Sequence, residues 1–134
     1  MEVIDATTLN TVRSFAVGPS PYRFALSPDG TRAYTTNLAA PSLSIVDVAS
    51  GTVVATVPIG IEPTGLAVSP DGARVYVASQ MQRTLTVIDA RAGTLLATMA
   101  LPPLPREIVV GHDGRRLYLS TQSSLLVIDA ARLG

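Results

Sequence analysis

The sequence lacks residues on which several classes of protein depend. It has no cysteine, so neither a disulfide framework nor a thiolate metal site is available to it. It also has no lysine and no tryptophan, and ten arginines balance ten acidic residues. A neutral chain without a basic run lacks the electrostatic footprint of a nucleic-acid-binding protein. No apolar run approaches the roughly 18 residues of a membrane-spanning helix, so no membrane span is predicted.

What the chain does contain is a large supply of small and branched apolar residues. Apolar residues make up 47% of the 134, whereas only 15% are charged, so we expect a folded domain with a core. Only six residues are aromatic, four tyrosines and two phenylalanines, so the core must consist of Val, Leu, Ile and Ala. Such a core suits β-sheets packed face to face.

A repeat of 42 residues runs through the sequence. Ser27-Pro28-Asp29-Gly30 recurs at 69–72 and, in degraded form, at 111–114. Each copy is followed by an arginine and then a tyrosine, which is Tyr34, Tyr76 or Tyr118. A second marker, an apolar residue followed by aspartate, recurs with spacings of 42, 42 and 40. We assign one domain, residues 1–134, with repeats over about 2–43, 44–85 and 86–134.

Each repeat divides into four short strands separated by turn signals. In the middle repeat strand A is predicted at Thr64–Ser69, B at Arg74–Ala78, C at Thr84–Asp89 and D at Thr94–Met99. Four strands in about 42 residues are typical of one blade of a β-propeller. The predicted fold class is therefore all-β, with about three four-stranded antiparallel blades in the chain.

The motifs also resemble a known family. S-P-D-G-x-R-x-Y, followed by V-I-D and by T-V-V-A-T-V-P-I-G, is similar to the YVTN β-propeller repeats of microbial surface-layer-type and related extracytoplasmic proteins. The resemblance covers essentially the whole chain. It implies a propeller fold and an extracytoplasmic location for the parent protein, and it does not imply one activity.

The repeated polar residues are explained by structure. All seven aspartates lie at repeat positions in or before turns, where a carboxylate accepts backbone N–H groups. His112 is the only histidine, and it lies in a turn without a second histidine or a cysteine to share a metal. We therefore predict no catalytic residue, no metal and no cofactor. The alternative is a lactonase-like or dehydrogenase-like propeller enzyme with its site at the channel mouth.

Candidate binding residues are those at which the repeats differ. The connections from strand D to strand A should surround the central channel, where propellers usually bind ligands. There the aligned pairs are Tyr22-Arg23, Thr64-Gly65 and Arg106-Glu107. The B–C loops add Asn37, Gln80 and Gln122. The predicted ligand is a small polar molecule, with Arg23 and Arg106 toward an anionic group, or a protein. The alternative is neutral variation of exposed loop residues.

Counting the strands predicts how a ring would close. The chain begins with C and D and ends with A, B and C, which makes thirteen strands. Glu2–Ala6 and Leu125–Ala130 are both C strands and compete for one place. Three blades cannot close a ring, because propellers have about four to eight. We therefore predict a six-bladed homodimer that exchanges strands through residues 2–17. The interrupted repeat also indicates a fragment or an engineered portion of a larger propeller.

Overall fold

The computed structural model describes residues 1–8 and 10–133 and confirms the all-β class. The described residues form thirteen strands and one turn of 3-10 helix at Ala130–Arg132. No helix among them is long and apolar enough to cross a membrane. The strands are β1 (Glu2–Ile4), β2 (Thr11–Ser14), β3 (Pro21–Leu26), β4 (Arg32–Asn37), β5 (Ser42–Asp47), β6 (Thr52–Pro58), β7 (Pro63–Val68), β8 (Arg74–Ser79), β9 (Thr84–Asp89), β10 (Thr94–Ala100), β11 (Ile108–Val110), β12 (Arg116–Ser120) and β13 (Leu125–Asp129).

The strands form four separate antiparallel sheets, which we call blades I to IV. Blade I is β1–β2, blade II is β3–β6, blade III is β7–β10 and blade IV is β11–β13, each in sequential order. The four strands predicted for the middle repeat match β7 to β10 to within one residue at each end. The repeat boundaries placed near 44 and 86 fall inside β5 and β9, because each complete sheet begins with strand A.

Turn chemistry explains why the hairpins form where they do. In the A–B turn of blade II, Gly30 has φ 73°, a left-handed conformation that suits glycine. The Asp29 carboxylate accepts hydrogen bonds from the Thr31 backbone N–H at 3.0 Å and from the Ser27 hydroxyl at 2.7 Å. Asp71 and Gly72 repeat this arrangement in blade III. The structural role predicted for these aspartates is confirmed.

The core lies between the blades. One face of blade II, including Tyr34, Leu43 and Ile45, packs on Val75 and Ile88 of blade III. The same face of blade III packs on blade IV in the same way. Tyr34 and Tyr76 are each 1% exposed, as expected for tyrosines that pack between blades. Each blade therefore depends on its neighbours for burial, which is the energetic logic of a repeat protein.

The blades follow one another in an arc, and the first strand of each of blades II, III and IV lies on its inner side. The first strand of blade III, β7, contacts both β3 of blade II and β11 of blade IV across the blade boundaries. They are reached through connections in which Ser20, Glu62 and Leu104 have φ values of 51°, 56° and 58°. These three residues are spaced 42 apart, and each precedes a proline. Left-handed φ values are unfavourable for residues with a Cβ atom, so every repeat stores strain where the chain enters strand A.

Candidate functional site

The structure brings together two of the three charged residues that were predicted at the inner ends of the blades. Arg23 lies in β3, and Glu107 directly precedes β11. The Arg23 guanidinium forms an ion pair with the Glu107 carboxylate, although the two residues are 84 positions apart in sequence. Gly65 is the equivalent residue of blade III. One repeat position therefore holds arginine, glycine and glutamate in three successive blades, and the pair joins blade II to blade IV.

Further contacts hold Arg23 in this position. Its backbone N–H donates to the Thr36 hydroxyl at 3.0 Å, and its guanidinium carbon lies 5.2 Å from the centre of the Tyr22 ring. The side chains of Arg23 and Glu107 are 40% and 55% exposed, so water screens their attraction. Because Arg23 already has Glu107 as a partner, an anionic ligand would have to compete with that carboxylate for the guanidinium.

Gly65 explains how the inner strands approach so closely. A Cβ atom at this position would lie 2.6 Å from the carbonyl oxygen of Arg106, which is closer than real Cβ contacts. Next to it, the Thr64 hydroxyl donates to the carbonyl oxygen of Pro105 at 3.0 Å. These contacts join blade III to blade IV at the inner side of the arc. They leave no room there for a larger residue.

One predicted binding residue is placed differently by the structure. Asn37 was assigned to an exposed B–C loop, and this was wrong, because it is the last residue of β4 and is fully buried. Its amide nitrogen donates to the hydroxyls of Ser42 and Ser44, both at 3.0 Å. Gly18 packs directly on the same amide. Asn37 therefore connects the D–A loop to its blade, and the sequence signal for this was the Gly18 that precedes it in the repeat.

The remaining predicted residues do not join the ion pair. Gln80 and Gln122 lie just after β8 and β12, and Gln122 is exposed whereas Gln80 is partly buried. The backbone N–H of Arg106 donates to the carbonyl oxygen of Ser120 at 2.9 Å, and the Arg106 side chain is exposed. Within residues 1–8 and 10–133, no hydrogen bond links these three side chains to Arg23.

A groove that the sequence did not indicate lies between the turn ends of blades III and IV. Its volume is about 940 Å³. Its walls include three arginines and three aspartates, which are Arg74, Arg115, Arg116, Asp71, Asp113 and Asp129.

The ionisable groups of this groove are explained by their contacts. Hydrogen bonds from the Ser69 hydroxyl and the Ala73 backbone N–H lower the pKa of Asp71. Burial raises the pKa of Tyr76, which also lines the groove. These directions keep the aspartate charged and the tyrosine neutral, so neither group is prepared to transfer protons near pH 7. The described residues also contain no cluster of three His, Cys, Asp or Glu side chains with metal-binding geometry.

Comparisons with known proteins support the fold but do not show a family. No protein-family model matches the chain, and no curated protein matches it. Among solved structures, the chain is similar to the hydrazine synthase of Kuenenia stuttgartiensis, with a TM-score of 0.82 and 25% sequence identity. The similarity covers 91% of this chain and 36% of that one, so the chain spans about a third of its structural neighbour. Together with the repeated antiparallel sheets, this similarity shows a β-propeller type of fold.

Proposed function

We propose that this chain is a non-catalytic segment of a YVTN-type β-propeller, and that it acts as a scaffold which completes its ring by self-association. In the proposed assembly each copy contributes blades II and III, and blade IV of each copy shares one further place in the ring with blade I of the other copy, which makes six blades in all. A six-bladed ring lies within the usual range of about four to eight blades. The observation that carries the proposal is the difference in burial between equivalent residues of the inner and terminal blades.

The face of blade IV that points away from blade III, which we call its outer face, carries the apolar residues that a neighbouring blade covers in blades II and III. Leu43 and Leu85 are 0% exposed in blades II and III, whereas the equivalent Leu125 is 65% exposed. Tyr118 is likewise 36% exposed, although its equivalents are buried. The local structure of the strands is the same, so the missing cover is the next blade. An uncovered apolar face of this kind usually marks an interaction site.

At the opposite end of the arc, apolar residues of blade II are also uncovered. Phe24 in β3 is 66% exposed, whereas the equivalent Ile108 is 4% exposed because strands of blade III cover it. Among the described residues blade I has only β1 and β2, and its Phe15 packs on Ala33 and Val46 of blade II. Leu26, in the same strand as Phe24, is also exposed. This end therefore accepts the face that blade IV presents.

A second copy can supply both missing neighbours at once. The outer face of blade IV in one copy would cover Phe24 and Leu26 of the other, and the reverse contact follows from two-fold symmetry. Such an arrangement closes on itself, so it forms a ring and does not grow into a fibre. Ring closure would also bring Arg23 of each copy close to Glu107 of the other, because blades IV and II become neighbours.

The local chemistry supports a role in assembly more than one in catalysis. The aspartates of the A–B turns are occupied by turn hydrogen bonds, and Arg23 is paired with Glu107. His112 is exposed in a turn. The repeat requires these carboxylates in every blade, so they do not form one special site. The activity named for the structural neighbour belongs to that protein.

The test is the mass of the purified 134-residue chain in solution. Light scattering should give about twice 14.0 kDa. Leu125→Arg places a charge on the face that should be covered and is expected to yield a monomer. Leu96→Arg is the matched control, because Leu96 is 44% exposed although its blade has a neighbour on each side. A folded wild-type monomer, or equal masses for the two variants, would contradict the proposal.

A further inference from the structure

Two strands at opposite ends of the chain share the sequence V-I-D at equivalent positions of the repeat. Residues 1–5 read M-E-V-I-D, and residues 125–129 read L-L-V-I-D. Both segments occupy the third-strand position of their blade, and both end in an aspartate that caps the following turn. Asp5 accepts from the Thr7 backbone N–H at 2.8 Å, and Asp129 accepts from the Ala131 backbone N–H at 3.0 Å. Either segment could therefore serve as the third strand that pairs with a fourth strand.

The pairing of β1 with β2 is short. It consists of three residue pairs, Glu2 with Ser14, Val3 with Arg13 and Ile4 with Thr11, and the register shifts between the last two. In blade III the equivalent pairing of β9 with β10 extends over six pairs. Ile4 also remains 54% exposed. Two further backbone hydrogen bonds extend this pairing, from the Phe15 N–H to the Met1 carbonyl oxygen at 2.7 Å and from the Asp5 N–H to the Asn10 carbonyl oxygen at 2.9 Å. The pairing still spans fewer residue pairs than that of β9 with β10, so β1 is the more weakly bound third strand.

In blade IV, by contrast, it is the partner of the third strand that differs from the other blades. In blades II and III the third strand pairs with a fourth strand, β6 or β10. Among the described residues β13 pairs only with β12, so its other edge is open. An open edge with apolar side chains, here Leu125 and Val127, is a template for another strand. Among the described residues, blade I therefore has only a short third strand and blade IV has no fourth strand.

We propose that the edge of β2 now covered by β1 is the docking site for β13 of a second copy. This inference rests on the proposed self-association and names the segment that performs it. The repeat also gives the register. Thr98 pairs with Thr86 in blade III, and Thr56 pairs with Ser44 in blade II. The equivalent pair across the two copies is Ser14 with Leu126 of the second copy.

It follows that β1 competes with the partner strand. Only chains whose β1 has left β2 can accept β13. The apparent dissociation constant is therefore the intrinsic one divided by the fraction of chains in which β1 has left β2. If β1 were in place in about nine chains of ten, each site would be weakened about tenfold, and a dimer with two sites about 100-fold. Deleting residues 1–8 should therefore tighten the dimer, whereas deleting residues 1–17 also removes β2 and should abolish it.

Engineered disulfides test the register directly, because the chain has no cysteine of its own. Directly opposite residues of antiparallel strands have Cα atoms about 4.5–5.5 Å apart, which suits a disulfide. Ser14→Cys combined with Leu126→Cys should give a covalent dimer on a non-reducing gel. Glu2→Cys combined with Ser14→Cys should lock β1 in place, giving a monomer when oxidised and a dimer when reduced. Thr84→Cys with Ala100→Cys, paired within blade III, is the control that should stay dimeric in both states.

The outcomes separate this inference from the proposed function. A covalent dimer of the Ser14→Cys/Leu126→Cys chain, and a redox-dependent mass of the locked chain, support the inference. A wild-type dimer that neither forms the cross-link nor responds to locking of β1 overturns the inference and leaves self-association intact. A wild-type monomer overturns both. The deletion of residues 1–8 gives an independent check, since an unchanged or weaker dimer contradicts competition by β1.

Discussion

Replacing Gly65 by alanine should loosen the contact between blades III and IV. The added Cβ atom would meet the backbone oxygen of Arg106 at 2.6 Å and Ile108 at 3.1 Å, so β7 and β11 must separate. Overpacking of this kind costs about 1–3 kcal/mol. Alanine recovers about 0.5–1 kcal/mol because it loses less conformational entropy on folding than glycine. The two ranges together give a net destabilisation between about 0 and 2.5 kcal/mol, with a central value of about 1 kcal/mol.

Urea unfolding followed by far-ultraviolet circular dichroism measures this loss. The matched control is Gly111→Ala, because an added Cβ atom there has its nearest neighbour at 3.4 Å, an ordinary contact. That variant should be as stable as the wild type or more stable by up to about 1 kcal/mol. All measurements need one protein concentration, since self-association would shift the apparent stability. Equal unfolding midpoints for the two variants would refute the steric argument.

Three further perturbations test other parts of the structure. The pKa of Asp29 is lowered to about 2 by the Thr31 backbone N–H and the Ser27 and Thr31 hydroxyls, so its stabilisation is present above pH 3.8 and lost as the pH falls toward 2. Asp29→Asn should therefore flatten the acid dependence of the urea midpoint over that range, and an unchanged slope would argue against it. Glu62→Gly should raise the free energy of unfolding by about 0.5–1 kcal/mol and the urea midpoint with it, because glycine adopts a φ of 56° without strain; a lower midpoint would show that the side chain matters more. A double-mutant cycle of Arg23→Ala and Glu107→Ala should give a coupling below about 1 kcal/mol that decreases with salt, and a larger, salt-insensitive value would indicate a buried pair.

The blades could be predicted from the sequence because their determinants are local. A Pro-Asp-Gly turn specifies its own hairpin, and Gly30 has the left-handed φ that such a turn requires. The strands between the turns are short, and their spacing is set by the 42-residue repeat. The strands around residues 64–99 were therefore located almost to the residue. The roles of the repeated aspartates followed from the same local hydrogen bonding.

The candidate site depended on contacts between distant residues, and the sequence predicted it only in part. Residue variation between repeats pointed to Arg23 and Glu107, yet their pairing required blades II and IV to meet across Gly65. Asn37 was misplaced because nothing in its own strand distinguishes a buried amide from an exposed one. Its burial results from Gly18, which arrives from the preceding connection.

Exposure at the ends of the arc was likewise decided by the tertiary structure. Leu85 and Leu125 occupy the same position in the same kind of strand, and a local pattern predicts the same environment for both. One is fully buried and the other is 65% exposed. The sequence by itself determined four-stranded blades with two apolar faces, because turn geometry and strand period act over a few residues. The tertiary structure decided which faces are covered, because burial depends on the neighbouring blade.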